Sequence, residues 1–118
     1  MIVGSVDVDG IPFITLLVAG QSWRAIIDSG FNGDLELPDA LRPFVNPRYR
    51  GLTESVLAGG LAVFEDYYQV DFPFDGRTVL AEATFVPGHE ILIGTQVLQQ
   101  YRLEINFPAR TVLIERVP

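Results

Sequence analysis

The sequence predicts an all-β fold, and three observations carry that prediction. Apolar residues recur in short runs rich in Val, Ile, Leu and aromatics, not at helical spacing. Asp-Gly pairs at 9–10 and 75–76 supply the positive φ angles of hairpin turns. Eleven Gly and eight Pro are spread over 118 residues, which interrupts any long helix. The length is that of one domain, residues 1–118, able to bury a core but small for an enzyme that encloses its substrate alone.

Each element follows from local pattern. Ile2 to Val8, Asp9-Gly10 and Ile11 to Val18 form a hairpin. Ala19-Gly20-Gln21-Ser22 turns the chain into the run Trp23-Arg24-Ala25-Ile26-Ile27, which ends in Asp28-Ser29-Gly30. Leu35-Glu36-Leu37 is a short extended piece with both Leu on one face, closed by Pro38. One helical turn fits between Pro38 and Val45, where Pro43 and Pro47 prevent more. Arg50 to Leu57 and Leu61 to Phe74 make a long hairpin tipped by Ala58-Gly59-Gly60. Asp75-Gly76 turns into Arg77 to Val86, and Pro87-Gly88-His89-Glu90 leads to Ile91-Leu92-Ile93, stopped by Gly94. A short α-helix is expected at about Thr95 to Tyr101. Arg102 to Phe107 and Thr111 to Val117 close the chain as a hairpin around Pro108-Ala109-Arg110.

Composition excludes several functions. A net charge of −7 with few, scattered basic residues argues against nucleic acid or anionic membrane as partner, because both demand a basic face. Without Cys there is neither a disulfide framework nor thiolate chemistry, and a single His leaves no structural zinc site. Gly59-Gly60 lacks the Lys-Ser/Thr of a phosphate loop, so no cofactor is expected. No signal-peptide pattern opens the chain and no run is long enough to span a bilayer, which makes a cytoplasmic location the expectation.

The run ending at Asp28 is the best candidate for chemistry, because a carboxylate there sits where burial begins. Taken alone, Asp-Ser-Gly reads more simply as a plain turn. A shift of the chain on itself by 66 positions aligns Asp9-Gly10 with Asp75-Gly76, Ile26-Ile27 with Leu92-Ile93, and Asp28 with Gly94. That echo suggests a pseudo-duplicated lobe in which two hairpins each feed a buried strand.

These stretches resemble the single-lobed, retropepsin-like aspartic proteases, in particular their bacterial members. Ile26-Ile27-Asp28-Ser29-Gly30 is similar to the family's apolar-apolar-Asp-Thr/Ser-Gly signature. Glu90-Ile91-Leu92-Ile93-Gly94 with Val97-Leu98 is similar to its apolar-Ile-Gly run, and Phe31-Asn32-Gly33 followed by Leu35 and Leu37-Pro38 resembles bacterial members. Two departures are Ser29 for the commoner Thr and Phe31 for a small residue. The resemblance implies a closed β-barrel-like acid-protease lobe with one short C-terminal α-helix, and catalytic roles for Asp28, Ser29 and Gly30. It also implies substrate contacts from Phe31, from the flap-like Leu57, Ala58, Gly59 and Gly60, and from Ile93 and Gly94. The activity implied is cleavage of extended peptides with apolar side chains near the scissile bond, without a metal.

The chemistry is consistent with one carboxylate per chain. Water-driven peptide hydrolysis needs a base and an acid, and two carboxylates at about 3 Å sharing one proton supply both. Gly94 stands where a second Asp would be needed, so the second carboxylate is expected from Asp28 of another copy in a homodimer. A different class, a homodimeric module that binds a peptide or protein without cutting it, fits the same residues. Other constellations are weaker. His89 lies in a turn without a nucleophile elbow. A metal among Asp28, Asp34 and Glu36 is conceivable, though solvated polarity is the simpler role for the last two. Trp23, Tyr67 and Tyr68 read as strand aromatics.

Overall fold

A computed structural model describes residues 1–118. The strands are β1 (Ile2–Val6), β2 (Pro12–Val18), β3 (Gln21–Ile27), β4 (Leu35–Pro38), β5 (Arg48–Val56), β6 (Ala62–Phe74), β7 (Arg77–Val86), β8 (Glu90–Ile93), β9 (Tyr101–Asn106) and β10 (Thr111–Arg116). A 3₁₀ helix, Asp39–Phe44, occupies the stretch bounded by prolines. No helix is long and apolar enough to cross a membrane.

Turn chemistry places most strand ends where the sequence puts them. Ala19 (φ 52°) with Gly20 (φ 80°), and Asp75 (φ 53°) with Gly76 (φ 71°), close two-residue hairpins between Val18 and Gln21 and between Phe74 and Arg77. The first hairpin differs from expectation. Its loop runs from Asp7 to Ile11, because the Asp7 carboxylate accepts the backbone N–H groups of Asp9 and Ile11, both at 2.9 Å, and draws the chain out of the ladder early.

All ten strands form one sheet in the order β5-β6-β7-β4-β8-β3-β2-β1-β10-β9. The closed barrel is therefore corrected to an open sheet: β5 and β9 each pair on one side only. Most neighbours are antiparallel, while β3 with β8 and β4 with β7 run parallel. The expected α-helix is likewise replaced. Thr95–Gln100 passes through successive turns closed by Leu98 N–H to Thr95 O (3.1 Å) and Tyr101 N–H to Leu98 O (2.9 Å). Tyr101 already pairs with Arg116, and so short a segment does not repay helix nucleation.

Nineteen buried apolar residues make one core, with Ile14, Val18, Ala25, Ile27, Leu35, Leu37, Phe72, Ile91, Ile93 and Ile114 among them. They follow the period-two alternation, so each strand turns one face inward. Burial of each large side chain stabilises the fold by about 1.5–3 kcal/mol. Trp23 and Tyr68 pack against the same core, and Tyr68 meets Tyr49 and Phe85 edge-on at 5.6 and 5.4 Å.

Candidate active site

Asp28 stands where β3 leaves the core. Ala25 and Ile27 are buried beside Ile91 and Ile93 of β8, and the Asp28 N–H continues that parallel ladder to the Ile93 carbonyl at 3.0 Å. Upstream, the Arg24 guanidinium bridges Asp7 and Glu90, the latter at 2.8 Å, and lies 4.1 Å over the Phe13 ring. This clamp ties the β1–β2 loop and the start of β8 to β3. The Ile11 N–H and then Arg24 hold the Asp7 carboxyl below its ordinary value.

The turn at Asp28 fixes one of its two carboxylate oxygens. Oδ1 accepts the Gly30 N–H at 3.0 Å, and the Asp28 carbonyl accepts the Phe31 N–H at 3.1 Å. One carboxylate oxygen is thus fixed, and the half-buried side chain leaves Oδ2 without an intrachain partner. A β-carbon at Gly30 would lie 3.3 Å from Oδ1, so glycine keeps that oxygen uncrowded.

The following loop is clamped by the segment after β8. Gly94 N–H donates to Asp34 O (2.8 Å), Thr95 N–H to Phe31 O (2.9 Å) and Gln96 N–H to Gly33 O (3.2 Å). These bonds need close backbone approach. A β-carbon at Gly94 would overlap the Gly33 carbonyl oxygen and come within 2.8 Å of both the Phe31 ring and the Phe31 carbonyl oxygen. One at Gly33 would meet the same ring at 2.7 Å, so Phe31 is seated between two glycines. Asp34 also anchors the loop, its Oδ2 accepting the Glu82 N–H at 2.7 Å. The simple picture of Asp34 as solvated polarity is therefore corrected to a strand-joining bond. With that carboxylate engaged, Asp28, Asp34 and Glu36 do not converge as metal ligands.

Beside this loop lies a cleft of about 130 Å³ between β4 and β7 on one side and the stem of the β5–β6 hairpin on the other. Phe31, Glu36, Thr53, Ser55, Glu65 and Tyr67 are among its walls. Burial raises the Glu36 carboxyl above its ordinary value, and the Glu65 and Asp28 carboxylates push the same way. The folded state therefore holds the Glu36 proton more tightly than the unfolded chain. Ionised Glu36 destabilises the fold above its raised value, and the penalty disappears as pH falls below the ordinary glutamate value of 4.5. Glu36→Gln is expected to have a higher Tm than wild type at pH 7, with the difference vanishing near pH 4 in paired thermal scans.

Asp28, Gly30, Phe31, Ile93 and Gly94 come together at the β3–β8 end. Ile93 is fully buried and contributes its carbonyl, while buried Gly94 contributes the space it leaves for Phe31. Ser29 is exposed. Leu57, Ala58, Gly59 and Gly60 form the exposed hairpin tip, away from the walls of the cleft, where Leu57 N–H bonds Leu61 O at 2.8 Å. His89 is exposed in its turn. Sequence reasoning passed over Glu65, Thr53, Ser55 and Tyr67 as site residues. Thr53-Glu54-Ser55 and Glu65-Asp66 are consecutive polar residues, so the sequence did not mark which face turns to the cleft until the hairpin was known to cover β4.

The fold is shared with solved aspartic proteases. A retropepsin-like aspartic protease from Rickettsia conorii superposes with a TM-score of 0.66 at 13% identity, over 98% of this chain and 89% of that one. The simian foamy virus (mac) protease gives 0.56 at 23% identity, over 74% and 91%. The foamy viral protease–reverse transcriptase, solved with an RNA/DNA hybrid, gives 0.61 at 20% identity over 80% of this chain, which spans only 13% of that larger protein. No protein-family model matches the chain, and no curated protein does. The class is thereby defined by architecture: this chain has the retropepsin-like fold.

Proposed function

We propose that the chain is an aspartic endopeptidase whose dyad forms from Asp28 of two copies across a two-fold axis. The observation that carries this reading is the contrast between Asp28 and Gly94, the residues that follow the last paired positions of parallel β3 and β8. Asp28 presents a half-buried carboxylate with one oxygen fixed, whereas position 94 has no room for any side chain. A second carboxylate therefore has to come from outside the lobe. The 66-residue echo supports a pseudo-duplicated lobe in the same way: it carries β2 into β7 and Ile27 onto Ile93.

In this mechanism the two carboxyl groups share one proton. The ionised one takes a proton from water as its oxygen attacks the peptide carbonyl carbon, and the protonated one gives its proton to the carbonyl oxygen. The gem-diol then collapses: the carboxyl that took the proton of water gives it to the nitrogen, the other carboxylate takes a proton from a gem-diol hydroxyl, the C–N bond breaks and the amine leaves with the shared-proton pair restored. In this proposal Ser29, exposed beside Asp28, supplies its hydroxyl to hydrogen bonds across the axis. The β5–β6 hairpin acts as a flap, with Gly59 (φ 93°) and Gly60 (φ 85°) permitting the tip to move and Leu57 excluding water. A cytoplasmic setting belongs to the same proposal.

The test is peptide-library cleavage followed across protein concentration. Specific activity is expected to fall on dilution below the dimer dissociation constant, in step with a loss of dimer by sedimentation. Full activity from a demonstrated monomer would overturn the shared dyad.

A further inference from the structure

The cleft beside Asp28 is walled mostly by polar groups. Along β5 and β6, Thr53, Glu65 and Tyr67 turn inward and are partly covered, while Leu52 and Phe64 face solvent at 64% and 63% exposure. On β4, Glu36 points away from buried Leu35 and Leu37 into the same space, opposite Thr84 of β7. Four separate strands thus bring polar groups to one cavity, where apolar groups would have lowered the cost of burial. No cation answers these carboxylates. The chain has no Lys, and the paired arginines are engaged elsewhere: Arg24 with Asp7 and Glu90, Arg42 with Asp39, Arg48 with Asp71 and Arg102 with Glu104. Asp34 is bound to a backbone N–H, and none of the six ion pairs involves Glu36, Glu65 or Glu82.

We propose that this cleft is a cation-selective subsite that takes the arginine or lysine side chain of an extended peptide, with Glu36 as its specificity-determining residue. The inference rests on the reading of the neighbouring Asp28 centre as a peptide-binding site. An apolar side chain in the cleft would strip water from Glu36 and offer nothing in return. A guanidinium or ammonium offsets the existing repulsion among Glu36, Glu65 and Asp28. The methylene stem of either residue suits Phe31 on the wall, with the charged head among the carboxylates and the Thr53, Ser55 and Tyr67 hydroxyls. One residue of the substrate is thus basic, in addition to the apolar side chains near the scissile bond that the resemblance implies.

The experiment uses the full chain and paired decapeptides that differ only in Arg against norleucine at a single scanned position. Wild type is expected to favour Arg at one position by about ten-fold or more in kcat/KM at low salt, and Glu36→Gln to reduce that ratio by a similar factor. Equal rates at every position, or an Arg preference that survives Glu36→Gln, would overturn the subsite. The same peptide pairs are also titrated by fluorescence anisotropy against Asp28→Asn and against the Asp28→Asn/Glu36→Gln double variant. Tighter Arg binding to the first, lost in the second, sustains the subsite even where wild type cleaves nothing, an outcome that removes the protease reading alone. Indifferent binding to Asp28→Asn overturns the subsite whatever wild type cleaves.

Discussion

Asp28→Asn is expected to reduce peptide cleavage by at least about 10³-fold while leaving the fold intact, the scale of loss seen when a group central to bond-breaking is removed. The substitution is nearly isosteric. Its amide oxygen can still accept the Gly30 N–H that Oδ1 accepts now, and the Asp28 backbone bonds to Ile93 and Phe31 are untouched. In the proposed dyad, what is lost is the shared proton: two neutral amides across the axis can neither deprotonate water nor transfer a proton to the carbonyl oxygen. The check is kcat/KM on a cleaved library peptide from about pH 4 to 7.5, where a shared-proton dyad operates, with far-UV circular dichroism and Tm confirming the fold. Retained activity in a folded Asp28→Asn variant would exclude the aspartic mechanism and leave the fold as the only likeness to proteases.

Gly94→Ala is expected to cost about 3 kcal/mol of stability, the upper part of the range for overpacking a tight interior site. The added carbon would strike a carbonyl oxygen, and backbone cannot swing aside as the tip of a side chain can. Relief requires moving the Phe31–Asp34 loop away from β8. That movement breaks the bonds from Gly94, Thr95 and Gln96 and shifts the turn that fixes Asp28 Oδ1. A Tm lowered by roughly 10 °C should therefore accompany a loss of cleavage at temperatures where the variant is still folded. Near-native Tm and activity would show that the β3–β8 end is looser than its contacts indicate.

Much of the architecture was legible locally. Strand after strand was readable because alternating burial and turn residues act over a few positions, as at Ala19-Gly20, Asp75-Gly76 and the β7 run Arg77–Val86, whose bounds match expectation. The misses share a cause. Asp7 ended β1 early through its own side-chain bonds, and Thr95–Gln100 stayed as turns because Tyr101 was already committed to pairing with β10. The open sheet has a similar origin, since whether β5 meets β9 depends on how ten twisted strands are stacked and leaves no mark on either strand.

The same division runs through the site. By itself the sequence determined that Asp28 sits at the end of a buried strand, that Gly94 ends a matching one, and that the chain carries a single copy of the motif, because apolar runs and their terminators are local properties. Only the tertiary structure decided that Gly94 is glycine to admit Phe31 and the Gly33 carbonyl, and that Asp34 joins strands. It also brought Glu36 and Glu65 to one cleft although they are far apart in the chain. Those outcomes depend on which strands become neighbours and which face each presents. They are set by packing across the sheet, and a one-residue slip in register would reverse them.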